Sequence, residues 1–253
     1  MSARNQTTTE HPAGTVPQST ATSTVGAKPA ASAEVDQPHA GGATLWFTGL
    51  PSSGKSTIAY ALARQLRAEG RRVQVLDGDE VRPRLSAELG FSREHRDINV
   101  RRIGWVARLL AAHGVVVLVP VIAPFAEARK VVRDDHAAAG VPYAEVHVAT
   151  SLEISEARDV KGLYAKARRG EIQSLTGVDD PYEQPRTAEL VLDTATLDLE
   201  MSVEMSRALL AAILEGDTPL PRPQPSGRSA SCRPWSRSRS TSSARWQRPS
   251  PSR

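Results

Sequence analysis

The apolar pattern of the chain predicts an α/β protein, a three-layer sandwich in which helices cover both faces of a mostly parallel central sheet. Segments with strand character alternate with amphipathic segments between residues 44 and 214, which favours a doubly wound sheet with right-handed crossovers. Val115–Val119 is an uninterrupted aliphatic run, as in a parallel strand that is buried on both faces. A glycine-rich turn joins the first strand directly to the first helix.

The first half of the chain begins with a strand, a turn and a helix. Thr44–Thr48 has strand character, and Lys55–Glu69 is predicted to be a helix that ends at Gly70. The apolar residues on one face of this helix are Ile58, Ala59, Leu62, Ala63 and Leu66. Val73–Leu76 follows as a short second strand.

The second half repeats the alternation. Its periodicity predicts a helix over Arg96–Ala112, closed by Gly114 and followed by the aliphatic strand. The remaining predicted elements are the helix Glu127–Ala138, the strand Ala144–Ala149, the short helix Leu152–Ala157, the strand Glu189–Leu192 and the helix Leu199–Leu214.

Composition divides the chain into three parts. Residues 1–40 are rich in Thr, Ser, Ala and Pro and show no apolar period, so we expect a disordered extension. Residues 41–217 hold the apolar pattern of one domain, and residues 218–253 form a Pro/Ser/Arg tail that is also expected to be disordered. Residues 221–253 carry eight Arg and no acid, so the rest of the chain is mildly acidic despite a formal net charge of +4. Such a tail could touch nucleic acid or an acidic surface; we favour a solvated tail.

Cysteine content and hydropathy exclude several classes of protein. The single cysteine, Cys232, lies in the tail, so no disulfide, cysteine–metal cluster or cysteine nucleophile is expected in the core. The longest aliphatic run, Val115–Ile122, is too short to span a bilayer. We therefore expect a soluble, cytoplasmic protein without a membrane partner.

The turn after the first strand matches the phosphate-binding pattern G-x-x-x-x-G-K-[ST] at every fixed position. Its backbone N–H groups and the helix N-terminus are expected to bind the phosphates of ATP, with Lys55 bridging the β- and γ-phosphates and Ser56 ligating Mg²⁺. The predicted nucleotide-binding residues are Gly49, Leu50, Pro51, Ser52, Ser53, Gly54, Lys55, Ser56 and Thr57. The pattern alone does not identify the acceptor, because GTPases, ATPases and small-molecule kinases share it.

Two carboxylates and an arginine follow the second strand, at the edge where open α/β sheets bind ligands. Asp77 and Asp79 are candidates for orienting or deprotonating an attacking hydroxyl or for holding Mg²⁺ through water. The alternative for Asp77-Gly78-Asp79 is a turn in which the Asp side chains bond to the backbone.

Several further segments resemble, in order and spacing, the signatures of adenylylsulfate (APS) kinases. Besides the phosphate loop they are Leu76–Arg82, Leu89–Ser92, Arg96–Arg102, Ile122–Phe125, Lys161–Tyr164 and Thr176–Glu183. The resemblance covers about residues 43–215, and it implies a P-loop kinase fold, transfer of the ATP γ-phosphoryl group to the 3′-hydroxyl of APS, Mg²⁺ as cofactor, and dimerisation.

The resemblance also implies roles for individual residues. Asp77 would position or deprotonate the 3′-hydroxyl, and Asp79 would support it or the metal, so that the implied catalytic residues are Lys55, Asp77 and Asp79. The acceptor APS would be bound by Asp79, Arg82, Phe91, Arg96, Asn99, Ile122, Lys161 and Leu163. In this set the arginines and Asn99 hold the phosphosulfate and ribose, Phe91 stacks on adenine, and Lys161 with Leu163 closes over the acceptor.

The segment Arg158–Gly177 is basic and shows little helix or strand period. We interpret it as a lid that closes over the transferring phosphates and excludes water; the alternative is a flexible surface loop.

The chain departs from the family pattern at a few positions. Ala123 replaces a serine associated with a phosphoenzyme form, so only direct in-line transfer is expected. Leu175 replaces an aromatic residue, so adenine would lie between Phe91 and an aliphatic side chain. Glu80, Ala126 and the Ser52-Ser53 pair also differ from the usual residues.

Two other functions stay open from the sequence. One is a different small P-loop kinase, acting on a sugar or another nucleotide, which would share Lys55, Ser56 and Asp77 but would need no Phe91. The other is a non-catalytic nucleotide-binding protein.

Overall fold

The computed structural model describes residues 41–216. The predicted N-terminal extension and the predicted tail lie outside the described residues. The strands are β1 (Ala43–Thr48), β2 (Val73–Val75), β3 (Val116–Pro120), β4 (Tyr143–Val148) and β5 (Leu190–Leu192). The helices are α1 (Lys55–Ala68), α2 (Gly78–Leu85), α3 (Arg93–Ala112), α4 (Ala126–Ala138), α5 (Leu152–Arg158), α6 (Leu163–Arg168) and α7 (Leu199–Leu214).

The five strands form one parallel sheet in the order β2-β3-β1-β4-β5. β1 lies at its centre, and all six of its residues are buried. Because the strands are parallel, their carboxyl ends meet at one edge, where an open α/β sheet binds ligands. The loops after β1, β2 and β3 therefore converge there.

Helices cover both faces of the sheet, as the α/β prediction requires. On one face, α1 and α7 pack against Leu45, Phe47 and Leu118. On the other, α3 and α4 pack against Trp46, Val117 and Val119. Alternate residues of β1 thus point into two separate cores, since successive side chains of a strand lie on opposite faces. The three-layer sandwich is confirmed.

α3 and α4 cross closely because Gly104 has no side chain. A Cβ at Gly104 would lie only 2.5 Å from Val132 Cγ2. The two helices therefore pack closely against each other on the same face of the sheet.

Two helices were not predicted from sequence. α2 contains Pro83 and buries no side chain, so it has no apolar period to detect. Its start is nevertheless encoded, because Asp77 caps it: the side chain accepts a hydrogen bond from Asp79 N at 3.0 Å. α6 lies in the segment predicted to lack helix period, and it begins after Gly162, whose φ of 65° is left-handed.

Most boundaries differ from the predictions by one to three residues. The largest shift is at α3, which begins at Arg93 because the Ser92 side chain caps it by accepting from His95 N. None of the helices between residues 41 and 216 combines the length and the hydropathy that a bilayer crossing requires.

Candidate active site

A cavity of about 620 Å³ opens at the carboxyl edge of the sheet. The phosphate loop contributes Pro51, Ser52, Gly54, Lys55, Ser56 and Thr57 to its wall. The predicted acceptor side contributes Asp77, Asp79, Arg82, Phe91, Arg96, Asn99, Ile122, Lys161 and Leu163. The structure therefore brings both predicted groups of residues into one cleft.

The phosphate loop takes its shape from two glycines. Gly54 has a left-handed φ of 102°, which few other residues adopt. A Cβ at Gly49 would lie 2.5 Å from Val148 O, so the loop can run this close to β4 only with glycine there. Lys55 Nζ folds back and donates to Leu50 O at 2.6 Å and to Ser53 Oγ at 3.3 Å.

Three predicted nucleotide-binding residues, Gly49, Leu50 and Ser53, do not line the cavity. Ser53 is fully buried, and its carbonyl accepts hydrogen bonds from Thr150 and Thr194. The Leu50 side chain packs on Gly177 instead, where an added Cβ would lie 2.8 Å from Leu50 Cδ2. These contacts hold the loop in place, and any contact of Gly49, Leu50 or Ser53 with phosphate would be made by the backbone N–H groups.

Burial controls the charge of Lys55. Desolvation lowers the pKa of its ammonium group to about 7, against the opposing effect of Asp77 and Asp79, which raise it. Only 8% of Lys55 is exposed. An anion at the loop would restore the charge, since a nearby negative group favours the protonated amine.

The two predicted catalytic carboxylates have different surroundings. Asp77 is 7% exposed and uses Oδ1 to cap α2, at 3.0 Å from Asp79 N. Asp79 is exposed, and its Oδ2 forms an ion pair with Lys161 Nζ. The alternative turn interpretation is therefore correct in part, because Asp77 bonds to the backbone while it also lines the cavity.

Phe91 lies at the cavity with most of its ring in solvent, at 60% exposure. The Arg82 guanidinium is 4.4 Å from the ring centroid and donates to the carbonyls of Leu89 and Gly90. A large exposed aromatic side chain next to two guanidinium groups suits a planar, anionic ligand.

Arg96 is buried and its donors are engaged by protein groups. It donates to Phe91 O and Thr176 Oγ1, each at 2.8 Å, and to Ser174 O. It also forms an ion pair of 3.2 Å with Asp180. Arg96 thus ties the C-terminal end of the lid and the segment after it to α3, in addition to lining the cavity.

Asn99 lies on α3 near Arg96 and is 9% exposed. Its Oδ1 atom has no hydrogen-bond partner among residues 41–216. Because a buried, unpaired acceptor is costly, this amide is a candidate ligand contact within the cavity.

The lid segment Arg158–Gly177 connects both sides of the cavity. Tyr164, on α6, donates to Pro51 O at 3.0 Å, and Asp159 accepts from the backbone of Tyr164 and Ala165. Arg158 donates to the side chain and carbonyl of Thr194. The lid therefore contacts the phosphate loop directly.

Sequence reasoning missed most of one wall of the cavity. Arg158 and Val160 of this wall belong to the predicted lid, but its other residues were not predicted: Thr194, Leu197, Asp198, Leu199 and Ser202. The rule applied to β2, that residues after a parallel strand line the ligand edge, also applies to Thr194 after β5 and would have found it.

Comparison with known proteins agrees with this geometry. A family model described as adenylylsulphate kinase matches residues 41–193. The chain belongs to the adenylylsulfate kinase family. It is an ATP-dependent phosphotransferase by that membership, as the phosphate loop predicts.

Named members of the adenylylsulfate kinase family are similar over most of their length. A probable adenylyl-sulfate kinase of Aeropyrum pernix is 47% identical over 174 residues, which cover 69% of this chain and 95% of the relative. An adenylyl-sulfate kinase of Synechococcus sp. is 51% identical over 164 residues, covering 65% of this chain and 91% of the relative.

Solved structures of the family share the fold. The Mycobacterium tuberculosis APS kinase, solved in complex with AMPPNP and APS, is 46% identical with a TM-score of 0.66, covering 68% of this chain and 99% of that one. A hexameric APS kinase of Thiobacillus denitrificans is 38% identical with a TM-score of 0.51, covering 73% of this chain and 30% of that one.

Two departures from the family pattern are visible in the structure. Ala123 lines the cavity with a left-handed φ of 43°, and it has no hydroxyl. Leu175 is 8% exposed and is not among the residues that line the cavity.

The donor set of the cavity fits Mg²⁺. The Ser56 hydroxyl and the carboxylates of Asp77 and Asp79 line the same space, and hard oxygen donors are those that Mg²⁺ prefers. Within residues 41–216, no three His, Cys, Asp or Glu side chains cluster as a metal site of their own. Such an ion would be held mainly by nucleotide phosphates and water, as is usual for Mg²⁺.

Proposed function

We propose that this chain transfers the γ-phosphoryl group of ATP to the 3′-hydroxyl of adenosine 5′-phosphosulfate, giving PAPS and ADP. The observation that carries the proposal is the shared cavity, in which a phosphate-binding loop faces a buried carboxylate, two guanidinium groups and an exposed phenylalanine. A GTPase or a simple ATPase would have no use for the second group. Family membership supplies the substrate names.

ATP would bind at the phosphate loop. The backbone N–H groups between Gly49 and Ser56 and the N-terminus of α1 would hold the β- and γ-phosphates. Lys55 would leave its carbonyl partner and pair with these phosphates, regaining full charge. Ser56 would ligate Mg²⁺, with Asp79 or Asp77 reaching it through water; the ion would neutralise charge that develops on the phosphates.

The acceptor would bind across the cavity. Phe91 would stack on the adenine of APS, while Arg82, Arg96 and Asn99 would hold its ribose and phosphosulfate. Because the donors of Arg96 are already engaged, its contribution would be mainly electrostatic and positional. Ile122 and Leu163 would supply apolar contacts, and Lys161 would close over the anion.

The chemical step would be a direct in-line transfer. Asp77 would accept the proton of the 3′-hydroxyl while the hydroxyl oxygen forms a bond to the γ-phosphorus. The bond from that phosphorus to the β–γ bridging oxygen would break, and ADP would leave. Ala123 has no hydroxyl to carry the phosphoryl group, so no phosphoenzyme at this position takes part. The lid would exclude water and so suppress hydrolysis of ATP.

An ADP-release assay tests the proposal. Purified protein with ATP and Mg²⁺ would be given APS, gluconate or a nucleoside monophosphate, and the products would be separated by ion-exchange chromatography. We expect ADP and PAPS in equal amounts with APS only, and no turnover by Lys55→Ala. Preferred turnover of another acceptor, or ATP binding without turnover of any, would show that the assignment is wrong.

We also propose that the catalytic unit is residues 41–217, that it acts in the cytoplasm, where ATP is plentiful, and that it forms a homodimer. Supporting arguments are the family membership and the position of the cavity within residues 41–216. A chain shortened at residue 217 should keep its kcat. Light scattering after size-exclusion chromatography would measure the mass of the assembly.

A further inference from the structure

Arg129, on α4, is a buried arginine outside the cavity wall. It is 3% exposed, and each of its three guanidinium nitrogens has a partner. Nη1 donates to Ala123 O at 2.7 Å, Nη2 donates to Glu183 O at 2.6 Å, and Nε lies 2.7 Å from Glu145 Oε1. The guanidinium therefore joins two loops to the central sheet, because Glu145 belongs to β4.

The first of these loops is a wall of the acceptor side of the cavity. Ile122, Ala123 and Pro124 line it, and Ala123 has the left-handed φ of 43°, which is unfavourable for a residue with a Cβ. Such a conformation persists only where surrounding contacts impose it. Arg129 holds the carbonyl of Ala123, and Thr48 Oγ1 donates to the carbonyl of Ile122 at 2.6 Å.

The second loop leads to the proposed acceptor-binding arginine. Glu183 N donates to Pro124 O at 2.8 Å, so the two loops are bonded to each other beside Arg129. Three residues earlier, Asp180 forms its ion pair with Arg96, and Thr176 accepts from the same guanidinium. Through Glu183, Arg129 is thus connected to the segment that orients Arg96.

We infer that Arg129 is a positioning residue for the acceptor: it fixes the Ile122–Pro124 wall and the Asp180–Glu183 segment at the distance that acceptor binding requires. The inference rests on the proposed function. A buried ion pair is by itself weak evidence for stability, whereas a rigid fork with donors in fixed directions suits the holding of two carbonyls and a carboxylate at once. The phosphate loop has no bond to this fork, so the donor side should be insensitive to it.

The same helix offers a matched control. Arg133 lies one turn after Arg129 and contacts the same carboxylate, at 3.4 Å, but its main partner is Glu189, at 2.6 and 2.9 Å. Its guanidinium also lies over the Tyr143 ring. Arg133 shares the buried charge cluster without bonding to either loop carbonyl.

The test compares Arg129→Lys with Arg133→Lys in the full chain. Lysine keeps the charge, but its single nitrogen cannot reproduce the separate donations of Nη1 and Nη2 to the two loop carbonyls while Nε faces Glu145. We expect Arg129→Lys to raise the KM for APS by about tenfold, since small displacements of substrate-positioning groups carry large kinetic effects, and to change the KM for ATP less than about twofold. Arg133→Lys should leave both KM values near those of the wild type, whatever its effect on Tm.

A second pair of variants tests the inference if Arg129→Lys does not fold. Thr48→Val removes the other clamp on the same wall, and Thr44→Val removes a buried hydroxyl at the opposite end of β1, where it bonds to His136. Only Thr48→Val should raise the KM for APS selectively.

The outcomes distinguish failure of the proposed function from failure of the inference about Arg129. No turnover of APS by the wild type would overturn the proposed function and this inference together. Turnover by the wild type, with equal kinetic effects of Arg129→Lys and Arg133→Lys or with equal rises in both KM values, would overturn this inference alone. If Arg129→Lys does not fold, equal effects of Thr48→Val and Thr44→Val on the KM for APS would also overturn this inference alone.

Discussion

Lys161 of the lid forms an ion pair with Asp79 at the mouth of the cavity. Both side chains are more than half exposed, at 54% and 73%, and exposed pairs contribute little stability. The pair can therefore be exchanged readily for a contact between Lys161 and an anionic ligand. The pair links the lid to the first turn of α2, which follows β2 on the acceptor side of the cavity.

Asp79→Asn should loosen the lid without unfolding the protein. We expect faster amide hydrogen exchange across residues 158–168 in the free variant and an unchanged Tm, because only a surface pair is lost. In the wild type, binding of APS with a non-hydrolysable ATP analogue should slow exchange over 158–177. Exchange that does not respond to the two ligands would remove the lid from the mechanism.

Asp77→Asn separates the catalytic role of Asp77 from its structural one. Asparagine keeps an oxygen that can accept from Asp79 N, so the cap of α2 and the Tm should be retained. It cannot accept the hydroxyl proton, so kcat should fall by about 10²- to 10⁴-fold, the range of general-base contributions.

The comparison for Asp77 is Asp77→Ala, which loses the cap as well and should lower both kcat and Tm. Near-normal kcat in Asp77→Asn would show that this carboxylate is not the base. Steady-state kinetics and differential scanning fluorimetry on the same preparations provide both measurements.

The sequence predicted secondary structure best where burial places apolar residues at regular intervals along the chain. The strands and long helices were predicted because residues such as Leu62 or Val117 must face a core at regular intervals. α2 and α6 were missed because neither presents a long apolar face: α2 buries no residue and α6 buries only Tyr164. Their starts depend on Asp77 and Asp159, whose local hydrogen bonds leave no period.

The residues of the candidate site also fall into those that the sequence predicted and those that it did not. Motif spacing placed Lys55 and Asp77 at the cavity, since the carboxyl ends of parallel strands must meet at one edge, whereas the family resemblance placed Phe91 there. Neither spacing nor resemblance indicated that the guanidinium of Arg96 donates its hydrogen bonds to protein groups. Nor did they indicate that Arg129 joins two loops that lie 60 residues apart in the chain (123 and 183). Those contacts depend on tertiary packing and cannot be read from local patterns.

Phe91→Ala should weaken binding of APS and leave the fold intact. The ring is 60% exposed, so its loss costs little packing. Stacking of a base on an aromatic ring contributes about 1–3 kcal/mol, so the KM for APS should rise by about tenfold while kcat changes less.

Trp105→Ala is the matched control for Phe91→Ala. Trp105 lies on α3 with a similar exposure of 55%, and it does not line the cavity. Its substitution should leave both KM values unchanged. An equal rise in KM for the two variants would mean that Phe91 acts through the fold and not through the adenine.

Two buried histidines should make the protein sensitive to acid. Burial lowers the pKa of both His136 and His147 from 6.5 to about 4. His136 Nδ1 lies 2.8 Å from Val132 O, so the proton sits on Nδ1, and Nε2 accepts from Thr44. Between pH 6.5 and 4 the unfolded chain binds protons at these sites and the folded chain does not, so the free energy of unfolding falls as pH falls through this window.

The double variant His136→Gln/His147→Gln tests this account, because glutamine cannot take up a proton at either site. Urea unfolding midpoints would be measured at pH 7.5 and at pH 5 for both proteins. The wild type should lose more stability between the two values than the variant, whatever their difference at pH 7.5. Burial also raises the pKa of Glu145, which acts in the opposite direction but equally in both proteins. An equal loss in the two proteins would place the acid sensitivity in other groups.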